Sequence, residues 1–104
     1  MNESNILTVY ISGPNATGQQ LVARPCNLRG FWVVPDASSD VNLRFYNVTA
    51  AADVAAANLL LGIDVDTNLA SSGYDLPGNG IRFDTAIWIR GAATTIQSIT
   101  AFYQ

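Results

Sequence analysis

The reactions open to this chain depend on its carboxylates, because histidine and lysine are both absent from its 104 residues. Histidine is the commonest general base and metal ligand, and lysine forms Schiff bases and binds phosphate in phosphate loops. Most hydrolase, transferase and kinase mechanisms are therefore disfavoured. Aspartates remain, so paired carboxylates for acid–base work and a carboxylate cage for a cation are the two sites to consider.

One acidic motif resembles a protease signature. Asp84-Thr85-Ala86 approaches the Asp-Thr-Gly sequence with which dimeric aspartic proteases place two carboxylates around one proton. Ala86 stands where the glycine backbone must approach its symmetry mate, and Asp84 alternates with apolar residues as in a strand. We therefore expect Asp84 to be an exposed residue paired with Arg82 or Arg90, and not a catalytic group.

A second acidic motif begins like a calcium loop. Asp64, Asp66 and Asn68 alternate, and Asp75 is the twelfth residue counted from Asp64. A calcium loop of this kind needs glycine at its sixth position for a sharp turn, but Leu69 stands there. The preceding residues have a strand pattern, not a helix pattern. We expect solvent-exposed aspartates and no bound metal.

The remaining chemical candidates also favour structural roles. Cys26 is the single cysteine, so neither an intrachain disulfide nor a cysteine metal site can form, and we expect a buried structural thiol. The glycine-rich run 77–80 precedes a strand, whereas a phosphate site needs a helix N-terminus there. We expect a turn at 77–80. The sequence therefore predicts no enzyme, no catalytic residue and no cofactor.

Short apolar or alternating runs, separated by Gly, Pro, Asn, Asp and Ser, are the main structural signal. They predict strands at residues 6–12, 19–24, 27–34, 41–48, 59–66, 72–76, 81–90 and 97–103. Residues 49–58 are alanine-rich and fit either a short helix or an irregular connection. The prediction is a single all-β domain, residues 1–104, folded as an antiparallel β-sandwich or jelly-roll-like barrel of seven to eight strands.

Alternation within the predicted strands separates inward from outward residues. In the strand 81–90, Phe83, Ile87 and Ile89 are expected to face the core, together with Leu61, Ile63 and Val65 from the strand 59–66. In the strand 41–48, Val48 falls on the outward face. The other face of the strand 81–90 carries Arg82, Asp84, Trp88 and Arg90.

Aromatic residues offer a binding surface. Adjacent aromatics such as Phe31 and Trp32 must point to opposite faces of a strand, so one ring of each pair lies outside. Because exposed Trp and Arg are frequent interface anchors, Trp88, Arg90 and Arg82 are the predicted partner-binding residues. Stacking of exposed rings on a sugar remains an alternative.

The net charge and the lack of long apolar runs further restrict the classes of partner that this chain can bind. The net charge is −3, and 12% of residues are charged against about 25% in typical domains. An acidic chain lacks the basic face that nucleic acid requires. No apolar run reaches the roughly 18 residues of a membrane span. We expect neither nucleic acid nor a membrane as partner.

Three features near the C-terminal end of the sequence carry a resemblance to a known family. They are the run Pro77-Gly78-Asn79-Gly80-Ile81-Arg82-Phe83, the alternating strand with the Gly/Ala/Thr turn after it, and the closing residues Thr100, Phe102 and Tyr103. This part of the chain, residues 59–104, resembles small virion proteins of tailed bacteriophages, in which a compact β-domain decorates or cements the head. The resemblance implies a structural protein on the capsid surface, bound to the major capsid protein.

An open sandwich has edge strands that can pair with other chains, and this sequence has no lysine to block them, few charges and several aromatics that cannot all be buried, so we expect a homo-oligomer. Its contacts are expected to use Trp88 and Arg90, while residues 1–5 form an arm free to reach a capsid subunit. The resemblance adds that a trimer is favoured. A tail, neck or fibre module and a carbohydrate-binding module are the alternative functions.

Overall fold

The computed structural model describes residues 6–12, 18–35, 41–65, 72–90 and 96–104. Within these ranges the chain forms nine β-strands and two single-turn 3₁₀-helices, at Ala51–Asp53 and Ala56–Asn58. The strands are β1 (Leu7–Ser12), β2 (Gln19–Val22), β3 (Cys26–Pro35), β4 (Val41–Tyr46), β5 (Leu59–Val65), β6 (Ser72–Asp75), β7 (Ile81–Phe83), β8 (Ile87–Arg90) and β9 (Ile96–Tyr103). The all-β prediction is confirmed.

The strands form two antiparallel sheets. In one sheet the order is β1-β9-β3-β6. β7 also belongs to this sheet, because it pairs with residues 26–28 of β3 on the same edge where β6 pairs with residues 30–33. In the other sheet the order is β2-β8-β4-β5. Strands from the two ends of the chain pair in nested fashion, β1 with β9, β2 with β8, β3 with β6 and β4 with β5. Such a long hairpin, wrapped so that successive pairs alternate between sheets, is a jelly roll.

Alternating apolar residues of both sheets meet in one core. Phe31 of the five-stranded sheet lies at its centre: its ring centroid is 4.9 Å from that of Phe45 in the opposite sheet and 4.9 Å from that of its neighbour Tyr74. Phe83, Ile87 and Ile89 are fully buried, and Leu61 and Ile63 pack against the same core. These inward assignments are confirmed, and the side chain of Val65 lies outside the description.

The predicted single strand over residues 81–90 is wrong in one respect. The chain bends at Asp84 and Thr85, so β7 belongs to the five-stranded sheet and β8 to the four-stranded sheet. The side-chain oxygen of Asn47 accepts hydrogen bonds from the backbone N–H groups of Thr85 (2.8 Å) and Ala86 (3.3 Å). These bonds replace the ladder bonds that the bend removes.

The strand predicted over 41–48 also ends early, at Tyr46. Beyond that point the alternation no longer applies, and Val48, predicted on the outward face, is buried. The alanine-rich segment that follows is an irregular connection containing the two 3₁₀ turns, neither of which has a side-chain cap. The helix alternative is therefore excluded for residues 49–58.

Among the described residues, no helix has the length and apolar character needed to cross a membrane.

Candidate functional site

The sandwich presents two outer faces of different chemistry. On the four-stranded sheet, register places Trp88 of β8 between Gln20 of β2 and Tyr46 of β4, while Arg90 lies opposite Arg44. We call Trp88, Arg90 and these neighbours the Trp88 face; its members are Gln20, Arg44, Tyr46, Trp88 and Arg90.

Trp88 is partly buried and held firmly in place. Its indole nitrogen lies against Gly18, whose φ of +93° and lack of a side chain permit the contact: a Cβ there would be 2.5 Å from Nε1. That Nε1 is buried and has no hydrogen-bond partner in the described structure. Gln20 beside it donates to the carbonyls of Val22 and Ile87, at 2.9 and 2.8 Å. Trp88 is therefore a rigid apolar element of this face.

The two arginines of the Trp88 face differ in their partners. Like charges directly opposite each other on neighbouring strands repel. Arg44 is neutralised by Asp64, with Nη1 3.2 Å from the carboxylate, and also donates to the carbonyl of Ile63. Arg90 is exposed and forms no ion pair within the described ranges. Among the residues that the structure describes, Arg90 is therefore the cation of this face that lacks an ion-pair partner, and it lies beside Trp88.

Arg82 does not share this face with Trp88 and Arg90. It lies on β7 in the other sheet, where it pairs with Asp84 at 3.2 Å and donates to the side-chain oxygen of Asn27 at 3.2 Å. The bend at Asp84 and Thr85 separates Arg82 from Trp88, so the expectation of one continuous surface for the three residues is wrong. The predicted pairing of Asp84 with Arg82 is confirmed.

The acidic motifs are dispersed. Asp64 is engaged by Arg44 on β4, whereas Asp75 lies in the five-stranded sheet. The calcium-loop residues 66–70 lie outside the described residues. Within the described part of the chain, no three His, Cys, Asp or Glu side chains gather where they could hold a metal ion.

Cys26 is buried at the start of β3, as predicted. Burial raises the pKa of its thiol, and the positive charges of Arg24 and Arg82 oppose that rise. The protonated thiol is a poor nucleophile. Cys26 is therefore a core residue.

The outer face of the five-stranded sheet carries exposed aromatic rings. Tyr10, Trp32 and Phe102 are 62%, 47% and 38% exposed, and they form what we call the aromatic face. Tyr10 and Trp32 both lie opposite Thr100, which occupies the strand between them, and Phe102 lies two residues further along that strand. At the usual strand spacing, Tyr10 and Trp32 are about 10 Å apart.

The Trp32 indole occupies space that a side chain would fill on its β6 neighbour, Gly73. A Cβ on Gly73 would lie 2.5 and 2.6 Å from Cε3 and Cζ3 of the indole. Gly73 therefore allows Trp32 to adopt this position, in which almost half of the surface of Trp32 remains exposed.

An open cleft of about 310 Å³ adjoins the aromatic face. It is lined by Ile6, Arg29, Gly30, Asp75, Leu76 and Phe102. Arg29 is the extra residue of a β-bulge, a device that redirects a side chain. Its Nη1 donates to Gln104, while its Nε is buried and has no partner in the described structure. Asp75 forms no ion pair among the described residues.

From the sequence, Trp88 is the aromatic residue predicted to bind a partner, and Tyr10 is not among the candidates. Tyr10 is the most exposed large apolar residue of the described structure. The alternation of β1 would have found it, because Val9 and Ile11 pack against the core on either side. Only the strand order brings Tyr10 next to Trp32 and Phe102, since their positions in the chain are far apart.

Comparison of the chain with protein-family models, with curated proteins and with solved structures finds no match. Because a jelly roll serves many functions, the chemistry of the two faces must carry the functional inference.

Proposed function

We propose that this chain is a virion structural protein of a tailed bacteriophage, which decorates the head by binding the lattice of the major capsid protein. It acts without catalysis and without a cofactor. Two things support this proposal: the resemblance carried by residues 59–104, and the position of Arg90, which has no ion-pair partner among the described residues, beside the partly buried Trp88 on one sheet face.

An aromatic ring beside a guanidinium group is a frequent anchor of protein interfaces. Trp88 supplies apolar area that loses little conformational freedom on binding, because its indole already packs against Gly18. Arg90 supplies a charge that a carboxylate of the capsid subunit would neutralise by a planar, two-bond contact. The capsid surface under this face is therefore expected to be acidic.

Binding to the assembled lattice stabilises that lattice by mass action, since the bound state exists only where capsid subunits are in place. A cement role therefore predicts that heads carrying this protein withstand higher temperature than heads without it.

The direct test is the copy number in purified particles of the phage that encodes the chain, measured by quantitative mass spectrometry. Hundreds of copies per particle support head decoration. A dozen or fewer would assign the chain to the tail, neck or fibre, and absence from the particle would overturn a virion role.

A binding assay on heads that lack the protein locates the contact. Arg90→Gln is expected to weaken binding about tenfold, the loss of roughly 1.4 kcal/mol. Arg82→Gln is the matched control, because Arg82 is an exposed arginine on the other sheet. Equal binding by the two variants would exclude the Trp88 face as the capsid contact.

A further inference from the structure

We propose that the aromatic face and its adjoining cleft form a binding site for a neutral glycan. The site lies on the five-stranded sheet, whereas the proposed capsid contact lies on the four-stranded sheet, so the inference does not depend on the capsid proposal. In a particle bound through the Trp88 face, the aromatic face would point away from the capsid.

The arrangement of the rings suits stacking on sugars. The C–H groups of a pyranose form an apolar surface that packs on an aromatic face, and the spacing of about 10 Å between Tyr10 and Trp32 exceeds one sugar ring. Phe102 lies diagonally across from both, at about 7–8 Å in such a ladder. The three rings therefore accommodate several linked sugars and not a single monosaccharide.

Trp32 is preorganised for this role. Its ring already occupies the space beside Gly73 in the free protein, so this position exists before a ligand arrives. Preorganised groups lose little conformational entropy on binding, which raises affinity. An aromatic side chain free to rotate would lose part of its binding energy to this ordering.

Polar groups around the rings match hydroxyls better than charges. Thr8, Ser12 and Thr100 share the outer face with the aromatic rings, and their hydroxyls both donate and accept hydrogen bonds. In the cleft, Arg29 and Asp75 carry opposite charges, so the lining has no net charge. A charged ligand would gain from one of them and be repelled by the other.

The cleft also offers polar groups to a ligand. Asp75 and Arg29 line it, and Asp75 is exposed and has no ion pair within the described ranges. The hydroxyls of a neutral sugar donate to a carboxylate and accept from a guanidinium N–H, so they suit both kinds of lining group. A purely apolar partner surface would instead cover the Asp75 carboxylate without giving it a hydrogen bond, which is costly.

The experiment is a glycan array probed with the intact protein, followed by calorimetry with the best neutral oligosaccharide. The array includes cello-, laminari-, manno- and chito-oligosaccharides, together with sialylated and sulfated glycans as charged competitors. We expect binding to neutral oligosaccharides of several sugars. Binding restricted to charged glycans, or to none at millimolar concentration, would overturn the proposal.

Four variants test the geometry. Trp32→Ala is expected to reduce affinity by about tenfold or more, and Asp75→Asn by severalfold. Gly73→Ala keeps every side chain that is proposed to contact the ligand but displaces the Trp32 ring, so a matching loss would identify Gly73 as a positioning residue. Trp88→Phe is the control and should bind normally. Circular dichroism confirms that each variant is folded.

Light scattering on Trp32→Ala tests whether a second copy of this chain, and not a glycan, covers the aromatic face. If the aromatic face were a contact between copies of this chain, this variant would change the oligomeric state and wild-type protein would not bind glycans. That combination overturns the inference, whereas unchanged oligomers with lost glycan binding support it.

Discussion

Individual side chains show how burial assigns roles to residues that look reactive in the sequence. Cys26 is the clearest case, because the chain has neither histidine nor lysine to activate a thiol and places this one in its core. Desolvation disfavours the thiolate, and the nearby Arg24 and Arg82 only partly offset that effect. The same burial makes the stability of the folded protein depend on pH in the alkaline range.

The raised thiol pKa makes stability fall at high pH. Its contribution is fully present below the ordinary thiol pKa of 9.0 and is lost as pH rises through the higher value in the folded state. We expect the free energy of unfolding, measured by urea titration between about pH 8 and 11, to decline more steeply for the wild type than for Cys26→Ala. The two proteins share every other ionisable group, so the difference between the slopes isolates the thiol, and equal slopes would contradict the assignment.

A core aromatic provides the second test. Phe83 is fully buried among residues of both sheets, so Phe83→Ala removes a ring and leaves a cavity. We expect a loss of roughly 3–5 kcal/mol in unfolding free energy. Phe102→Ala, at a residue 38% exposed, is the matched control and should cost much less. A loss below about 1 kcal/mol for Phe83→Ala would refute its inward orientation.

Strands and their connections show where alternation alone misleads. Residues 81–90 alternate almost perfectly, yet the chain bends in the middle and feeds two different sheets. Phe83 and Ile87 both reach the core, one from each sheet, so a continuous pattern of buried residues survives a change of sheet. Asn47, from a distant part of the chain, holds the bend.

The bend should depend on the Asn47 side-chain oxygen. Asn47→Ala leaves the N–H groups of Thr85 and Ala86 without their acceptor, and we expect a loss of about 1–3 kcal/mol. Asn47→Asp keeps an acceptor oxygen and should retain much of the stability. Asn42→Ala, on the exposed side of β4, controls for the loss of an asparagine. Chemical denaturation measures all three, and equal effects of the first and last would argue against the hydrogen bonds.

The surface of the whole folded molecule exposes more large apolar side chains than an isolated monomer needs to. Seven large apolar residues of the described structure are more than a third exposed, and three of them, Leu7, Leu59 and Leu60, lie outside both the aromatic face and its cleft. Strands β1 and β5 end their sheets, and an unprotected edge can pair with another chain. Lysine, a common guard of such edges, is absent from the sequence.

We therefore expect the purified protein to be a homo-oligomer, and the resemblance to decoration proteins favours a trimer. Light scattering coupled to size-exclusion chromatography should give three times the chain mass of 11.1 kDa. Because the Trp88 face is assigned to the capsid, Trp88→Ala combined with Arg90→Gln should leave this mass unchanged. Release of monomers would instead support the sequence-based expectation that these two residues form the contact between copies. A wild-type mass of one chain at all concentrations would contradict the prediction. The predicted arm, residues 1–5, lies outside the described residues.

Much of this fold follows from local patterns. Period-two alternation and turn residues determined the all-β class, most strand positions and the inward faces of β4, β5 and β8, because burial of one side of a strand must appear as alternation. The same reasoning determined that Cys26 is a core residue. The lack of histidine and lysine is itself a property of the sequence, and it restricts the chemistry before any fold is known.

Only the tertiary structure decided which strands lie side by side. Tyr10, Trp32 and Phe102 become one surface through the order β1-β9-β3, and Arg82 is separated from Trp88 by a bend whose support, Asn47, is 38 residues from Thr85. Gly73 becomes the neighbour of Trp32 only through the pairing of β3 with β6. Alternation records whether a residue faces the core, but it contains no information about its neighbour on the next strand. That neighbour is chosen by the packing of the whole chain, and in this protein it determines the candidate binding surfaces.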